Sequence, residues 1–387
     1  MLLIKNARVY APQDLGLCDL LVAGTQVLAI DKQLTLSGIA CEQYDAQGQW
    51  LVPGFVDSLA HIAGGGGEGG FATRTPELQP TDAVRAGVTH LVGVLGTDAT
   101  CRSLADLYGK TQSLNAFGLN CFMHSGSYEI PVKTLTGNLR NDLMLVQPVI
   151  GVGEIAIADH RGSQPSWQEL ARVVSDVRVA AMLAGKGGAV SIHVGEDPSG
   201  LTLLNQVADN TALPVNQFLP THMGRNDRLI DQGVGFAKRG GWVDFTTSTT
   251  DAILAMGERP AHDALLYAMA QGAPLSQLCF SSDAQGSLPH FNAAGQLDGL
   301  ELASIDSLWA ETAALIRNKS LGVPDALRVI TTNPARALGL AAGKVAVKGG
   351  ADFNLVDPQA LTITGNVCRG RWMMRDGELL AHTPFER

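Results

Sequence analysis

LVPGFVDSLAH, residues 51–61, is the stretch on which the fold turns. It is a run of apolar residues with few interruptions, and it ends in a histidine. A strand buried on both faces reads this way, whereas a half-exposed strand alternates. Outward from it the same pattern recurs at His90–Gly96, Asn120–Ser127, Val149–Ile157, Ala189–Gly195, Phe218–Met223, Trp242–Thr247 and Leu278–Asp283. Between the runs lie segments with helical apolar spacing, such as Trp167–Ala184 and Ile305–Lys319. Eight strand–helix units predict an α/β protein built on a (β/α)8 TIM barrel; a doubly wound open sheet shares the pattern.

Both ends of the chain differ from this middle. Leu3–Tyr10 and Asp19–Ile30, with a turn at Gly24, are β-like. So are Val345–Val347, Phe353–Val356 and Arg371–Met374, separated by Gly-Gly, Asp-Pro and Asp-Gly turns. We expect a small β-sandwich assembled from both termini. The division is then 1–52 and 342–387 for the sandwich and 53–341 for the barrel. At 45% hydrophobic and 17% charged, 387 residues hold ample material for such a core.

Charge and cysteine usage narrow the function. A net charge of −9 leaves no basic stripe for nucleic acid. No apolar run approaches the ~20 residues of a membrane span, and Met1–Pro12 has no apolar stretch of a secretory signal. The six cysteines are scattered without a CxxC pair, as buried thiols in a reducing cytoplasm would be.

Metal-competent residues stand at or near the C-terminal ends of five runs: His61, Glu154, His193, His222 and Asp283. Taken singly, each is more often a cap or a hydrogen-bonded core residue. Together they fall on the rim where barrel side chains converge. The segments around them carry a family pattern. PGFVD before His61, SIH at His193, LPTHM at His222 and SSDAQGS at Asp283 resemble the ligand pattern of the amidohydrolase superfamily. GGGGEGG (64–70), RTPE (74–77), GVLGTD (93–98), GSYEIPVKTLTG (126–137), ADHR (158–161) and PTHMGRN (220–226) resemble the isoaspartyl dipeptidases, and the likeness spans nearly the whole chain.

Two departures fall on ligands. The family opens its site with His-x-His, where this chain has Leu59-Ala60-His61. The family bridges two metals with a carboxylated lysine, and the matching position is Glu154. A shorter carboxylate and a lost histidine imply one metal rather than two. The resemblance then leaves Glu154, His193 and His222 as an oxygen–nitrogen–nitrogen set suited to zinc, with manganese or iron as alternatives. His61 and Asp283 are the remaining ligand candidates.

The resemblance further implies Asp283 as proton acceptor and donor and Tyr128 as the hydrogen-bond donor to the scissile carbonyl. It places Glu68 on the substrate ammonium, Arg161 and Arg225 on the carboxylate, and Thr97 and Ser287 as further contacts. The activity it implies is hydrolysis of a β-aspartyl dipeptide, in a homo-oligomer. A one-metal deacetylase or N-acyl-amino-acid hydrolase would use the same chemistry. A non-catalytic small-molecule binder would result if the altered ligands hold no metal. Outside these positions, His124 reads as a satisfied core histidine, His160 as structural and Arg74 as either a solvated loop charge or a contact.

Overall fold

The computed structural model describes residues 1–38, 40–292 and 297–385. Its centre is a curled parallel sheet. The strands are β1 (Phe55–Ala60), β2 (Val88–Gly93), β3 (Asn120–Ser125), β4 (Val149–Ile157), β5 (Ala189–Val194), β6 (Phe218–Thr221), β7 (Val243–Thr246) and β8 (Leu278–Ser281). The first six pair in sequence order, and β7 pairs with β8. Backbone hydrogen bonds continue the set at its two breaks. The Met223 amide donates to Asp244 O at 3.1 Å, and the Asp283 amide donates to Leu59 O at 3.1 Å. All eight predicted runs contain a strand of this sheet, and apart from half-buried Asn120, Phe122 and Thr246 every residue of those strands is buried, so alternation is largely absent.

Helices cover the outside of this sheet. Trp167–Ala184 is a helix as its spacing predicts. Ser166 and Glu169 cap its start reciprocally, Gly185 at φ 67° ends it, and Leu170, Val174 and Val177 face the core. The helix expected over Ile305–Lys319 is trimmed to Ser307–Arg317.

A second, mixed sheet draws strands from both ends of the chain. Leu2–Tyr10, Asp14–Ala23, Gln26–Asp31, Glu42–Asp45 and Trp50–Pro53 join Phe353–Val356, Ile363–Cys368, Arg371–Arg375 and Glu378–Leu379 around their own apolar cluster. The predicted run 51–61 is therefore two strands, and they belong to different sheets. Gly54 divides them; a Cβ there would meet the Thr89 side chain. Val345–Val347, expected as a strand, is not one. Its chain is instead tied down by two bonds, Lys348 N to Val27 O at 2.8 Å and Val27 N to Gly349 O at 3.0 Å.

One irregularity bears on the site. Val190 pairs with Val152 and Ile192 with Ile155, so Gly153 and Glu154 together oppose the single residue Ser191. This is a β-bulge, which re-aims the side chain that follows it. Gly153 has φ 139°, and a Cβ there would stand 2.5 Å from Ser191 O. Only glycine fits this position, and the bulge turns Glu154 into the fully buried interior.

Candidate active site

The C-terminal ends of the parallel strands open into a cavity of about 530 Å³. Glu154 lies beneath it, 0% exposed, with His193 and His222 beside it. His222 Nε2 is 3.2 Å from Glu154 Oε2, and His193 Nδ1 is 3.5 Å from the same atom. Zinc bonds of about 2.0–2.2 Å in a tetrahedron place neighbouring donor atoms about 3.3 Å apart, so these separations match such a centre. Burial works against charge on Glu154, yet its hydrogen bonds with the two histidines outweigh it and hold the carboxyl well below its usual range. Its Oε1 has no hydrogen-bond partner, a buried atom that a cation would satisfy. Donor set and geometry fit a divalent cation.

Both histidines are held from behind. His222 Nδ1 is 2.7 Å from the Thr246 hydroxyl. His193 Nε2 is 3.0 Å from Asp159 Oδ2, and the Tyr128 hydroxyl is 2.7 Å from His193 Nδ1. A carboxylate only accepts, so Nε2 carries the hydrogen and Nδ1 presents a lone pair to the site. Burial pushes His222 down to about 4 and Tyr128 well above its usual value, leaving a neutral ring and a phenol that keeps its hydrogen.

His61 and Asp283 form the other wall. His61 Nε2 is 3.1 Å from Asp283 Oδ1 and 3.7 Å from Glu154 Oε1. Burial alone would lower His61, but the Asp283, Glu154 and Glu68 carboxylates raise it to about 9. Asp283 and His222 both sit at positive φ, 54° and 63°, at the turns where their strands end. Leu59, at the missing ligand position, is buried at 2%.

The predicted substrate contacts line the same cavity. Glu68, Thr97, Tyr128, Arg161, Arg225 and Ser287 all face it. Thr97 donates to Glu68 Oε1 at 2.6 Å, and Arg161 Nη1 is 3.6 Å from that oxygen. The Arg225 guanidinium makes no hydrogen bond to another described residue. Ile253, Met256, Leu288 and Pro289 add an apolar side near the mouth. Glu258 and Asp159 also belong here, and sequence reading did not single them out. Asp159 lay inside ADHR, and its hydrogen-bonding function was the signal to ask for.

Two other expectations change, and one open between two readings is decided. His124 is fully buried but unsatisfied: neither ring nitrogen has a partner, and burial lowers it to about 4. His160 points into solvent with its side chain 93% exposed, which does not suit a structural role. Arg74 is tied across the loop to Asp98 at 2.8 Å.

A β-aspartyl dipeptidase from Fervidobacterium islandicum, solved in complex with the β-Asp-Leu dipeptide, is 42% identical over 100% of both chains, with a TM-score of 0.91. The chain belongs to the β-aspartyl dipeptidase family. Membership makes it a hydrolase of the metal-dependent amidohydrolase type. More distant structures share the fold. A dihydropyrimidinase from Brevibacillus agri is 16% identical over 98% of this chain and 96% of its own, TM-score 0.70. An N-acetylglucosamine-6-phosphate deacetylase from Pasteurella multocida is 16% identical over 96% and 99%, TM-score 0.63. No protein-family model matches the chain. No described helix is long and apolar enough to cross a membrane.

Proposed function

We propose that this cavity hydrolyses the isopeptide bond of a β-aspartyl dipeptide, using one zinc ion held by Glu154, His193 and His222. The observation that carries the reading is the match between the 3.2 and 3.5 Å donor spacings and a tetrahedral centre, beneath a cavity with one carboxylate anchor and two guanidinium groups. What the cation supplies is Lewis acidity, which lowers the pKa of water from about 16 to about 7 and polarises a carbonyl.

The side chains do the rest. Glu68, braced by Thr97, takes the substrate ammonium, while Arg161 and Arg225 take carboxylate, with Ser287 as a further polar contact. Tyr128 stays protonated and donates to the oxyanion that develops on the scissile oxygen. Asp283 accepts the proton that the attacking water gives up and returns it to the leaving amine. His61, opposite Asp283, holds that carboxylate in place and is not required as a ligand.

The same reading includes the frame. The Asp283–Leu59 and Met223–Asp244 bonds support a closed (β/α)8 barrel over 53–341, with a β-sandwich from 1–52 and 342–387. Exposed Met144, Leu145, Val179, Met182 and Leu183, from two adjoining helices, support a homo-oligomer. Six free cysteines, four of them buried, support a cytoplasmic setting.

Protein loaded with zinc should release aspartate from β-Asp-Leu and contain one zinc per chain. Asp283→Asn should turn over at least about 100-fold more slowly. Wild-type turnover no greater than that of the variant would remove the reading. Turnover of N-acetyl-amino acids without isopeptide cleavage would transfer the site to the deacylase class.

A further inference from the structure

Asp159 joins the two halves of the cavity. It stands two residues past the end of β4, after a turn in which Ala158 adopts φ 51°. Its side chain is only 5% exposed, and its two oxygens accept from four donors. Oδ1 takes the Arg161 amide at 2.8 Å and Arg161 Nε at 3.0 Å. Oδ2 takes Arg161 Nη2 at 2.7 Å and His193 Nε2 at 3.0 Å. The Arg161 guanidinium is thereby laid 5.6 Å above the Tyr128 ring, the ring whose hydroxyl meets the other nitrogen of His193. A surface ion pair would give little, but this carboxylate is enclosed and every bond it makes is charge-assisted.

We infer that Asp159 is a positioning residue with two clients: it fixes the His193 ring so that Nδ1 faces the cation, and it holds Arg161 where a substrate carboxylate meets it. The first follows from acceptor chemistry. With Nε2–H committed to Asp159, the imidazole has one lone pair left, on Nδ1, which lies 2.7 Å from the Tyr128 hydroxyl and 3.5 Å from Glu154 Oε2. The second follows from the fork. Asp159 engages Nε and Nη2 side-on, leaving Nη1 facing Glu68 across the cavity at 3.6 Å. Arg161 thus offers substrate one end of a fixed guanidinium, while Arg225 supplies the unengaged one. Cation affinity and carboxylate recognition are coupled through one carboxylate, and loss of Asp159 moves both.

This inference rests on the one-zinc reading, and the experiment separates the two. Zinc affinity is measured by competition with a chromophoric chelator, and steady-state kinetics on β-Asp-Leu are measured at saturating zinc. Asp159→Asn keeps the shape, and its zinc Kd should rise about 10–100-fold. At saturating zinc its KM should still rise about tenfold, with kcat changed less, because Arg161 is no longer held. If Asp159→Asn does not fold by circular dichroism, Asp159→Ser carries the same expectations. A folded variant with wild-type zinc Kd, or with wild-type KM once zinc is saturating, overturns the inference and leaves the hydrolase intact. A wild-type protein that binds no zinc overturns both.

Discussion

Asp244 is the residue at which burial, hydrogen bonding and pH meet most directly. It lies on β7 inside the sheet, 1% exposed; its Oδ2 accepts from Thr221 at 2.6 Å and Ser281 at 2.5 Å, and its Oδ1 has no partner. Burial, with further repulsion from Asp57 and Asp283, raises its carboxyl to about 7. An unfolded aspartate titrates near 3.9. Between about pH 4 and pH 7 the folded chain therefore holds a proton that the unfolded chain has released, so stability falls as pH rises through that window. Asp244→Asn removes the titration. The melting temperature of the metal-free variant relative to wild type should be more favourable at pH 8 than at pH 5; a difference independent of pH would show that Asp244 does not titrate there. Nothing in WVDFTT foretells this, because a carboxylate within an apolar run reads only as an interruption. His193 and His222 were legible by contrast, since each closes an apolar run inside a recognisable motif. Leu59 was legible as a departure, and its burial gives it a packing role in place of ligation.

At the scale of the element, the parallel strands were readable because burial on both faces leaves nothing to alternate. Their boundaries were less so: Gly54 ends one sheet and admits the next, and no composition change marks it. The hairpin Ser287–Phe291 with Leu297–Leu302 was missed, because Pro289 and Gly299 interrupt any strand pattern. The bulge in β4 was also invisible, although it decides which way Glu154 points. Period-2 geometry means that one extra residue transfers every later side chain to the other face. Gly153→Ala tests that element. The new methyl would stand 2.5 Å from Ser191 O at φ 139°, so the bulge must shift. We expect a stability loss of about 2 kcal/mol by denaturant unfolding, and a weaker zinc Kd because Glu154 moves with it. Unchanged zinc affinity in a destabilised variant would show that Glu154 keeps its place without the bulge.

Across the whole molecule, the three proposed ligands come from β4, β5 and the turn after β6, spanning residues 154 to 222. Without a cation this arrangement packs a buried carboxylate with a free oxygen against two imidazoles, a costly grouping for the fold to hold by itself. A cation that binds only the folded chain returns that cost as global stability. At a free concentration of 100 times Kd the gain is about 2.7 kcal/mol. Unfolding entropy of about 2.1 cal/mol/K per residue over 387 residues converts this to a rise in Tm of about 3 °C. Scanning calorimetry with zinc and then with a chelator should give that rise and its reversal. Glu154→Ala should melt at one temperature in both conditions, because two imidazoles alone do not close the centre. The sequence supplied the ligand names, but the size of this coupling depends on their spacing in the folded chain. An equal zinc shift in Glu154→Ala would place the stabilising cation elsewhere and detach the metal from the catalytic cavity.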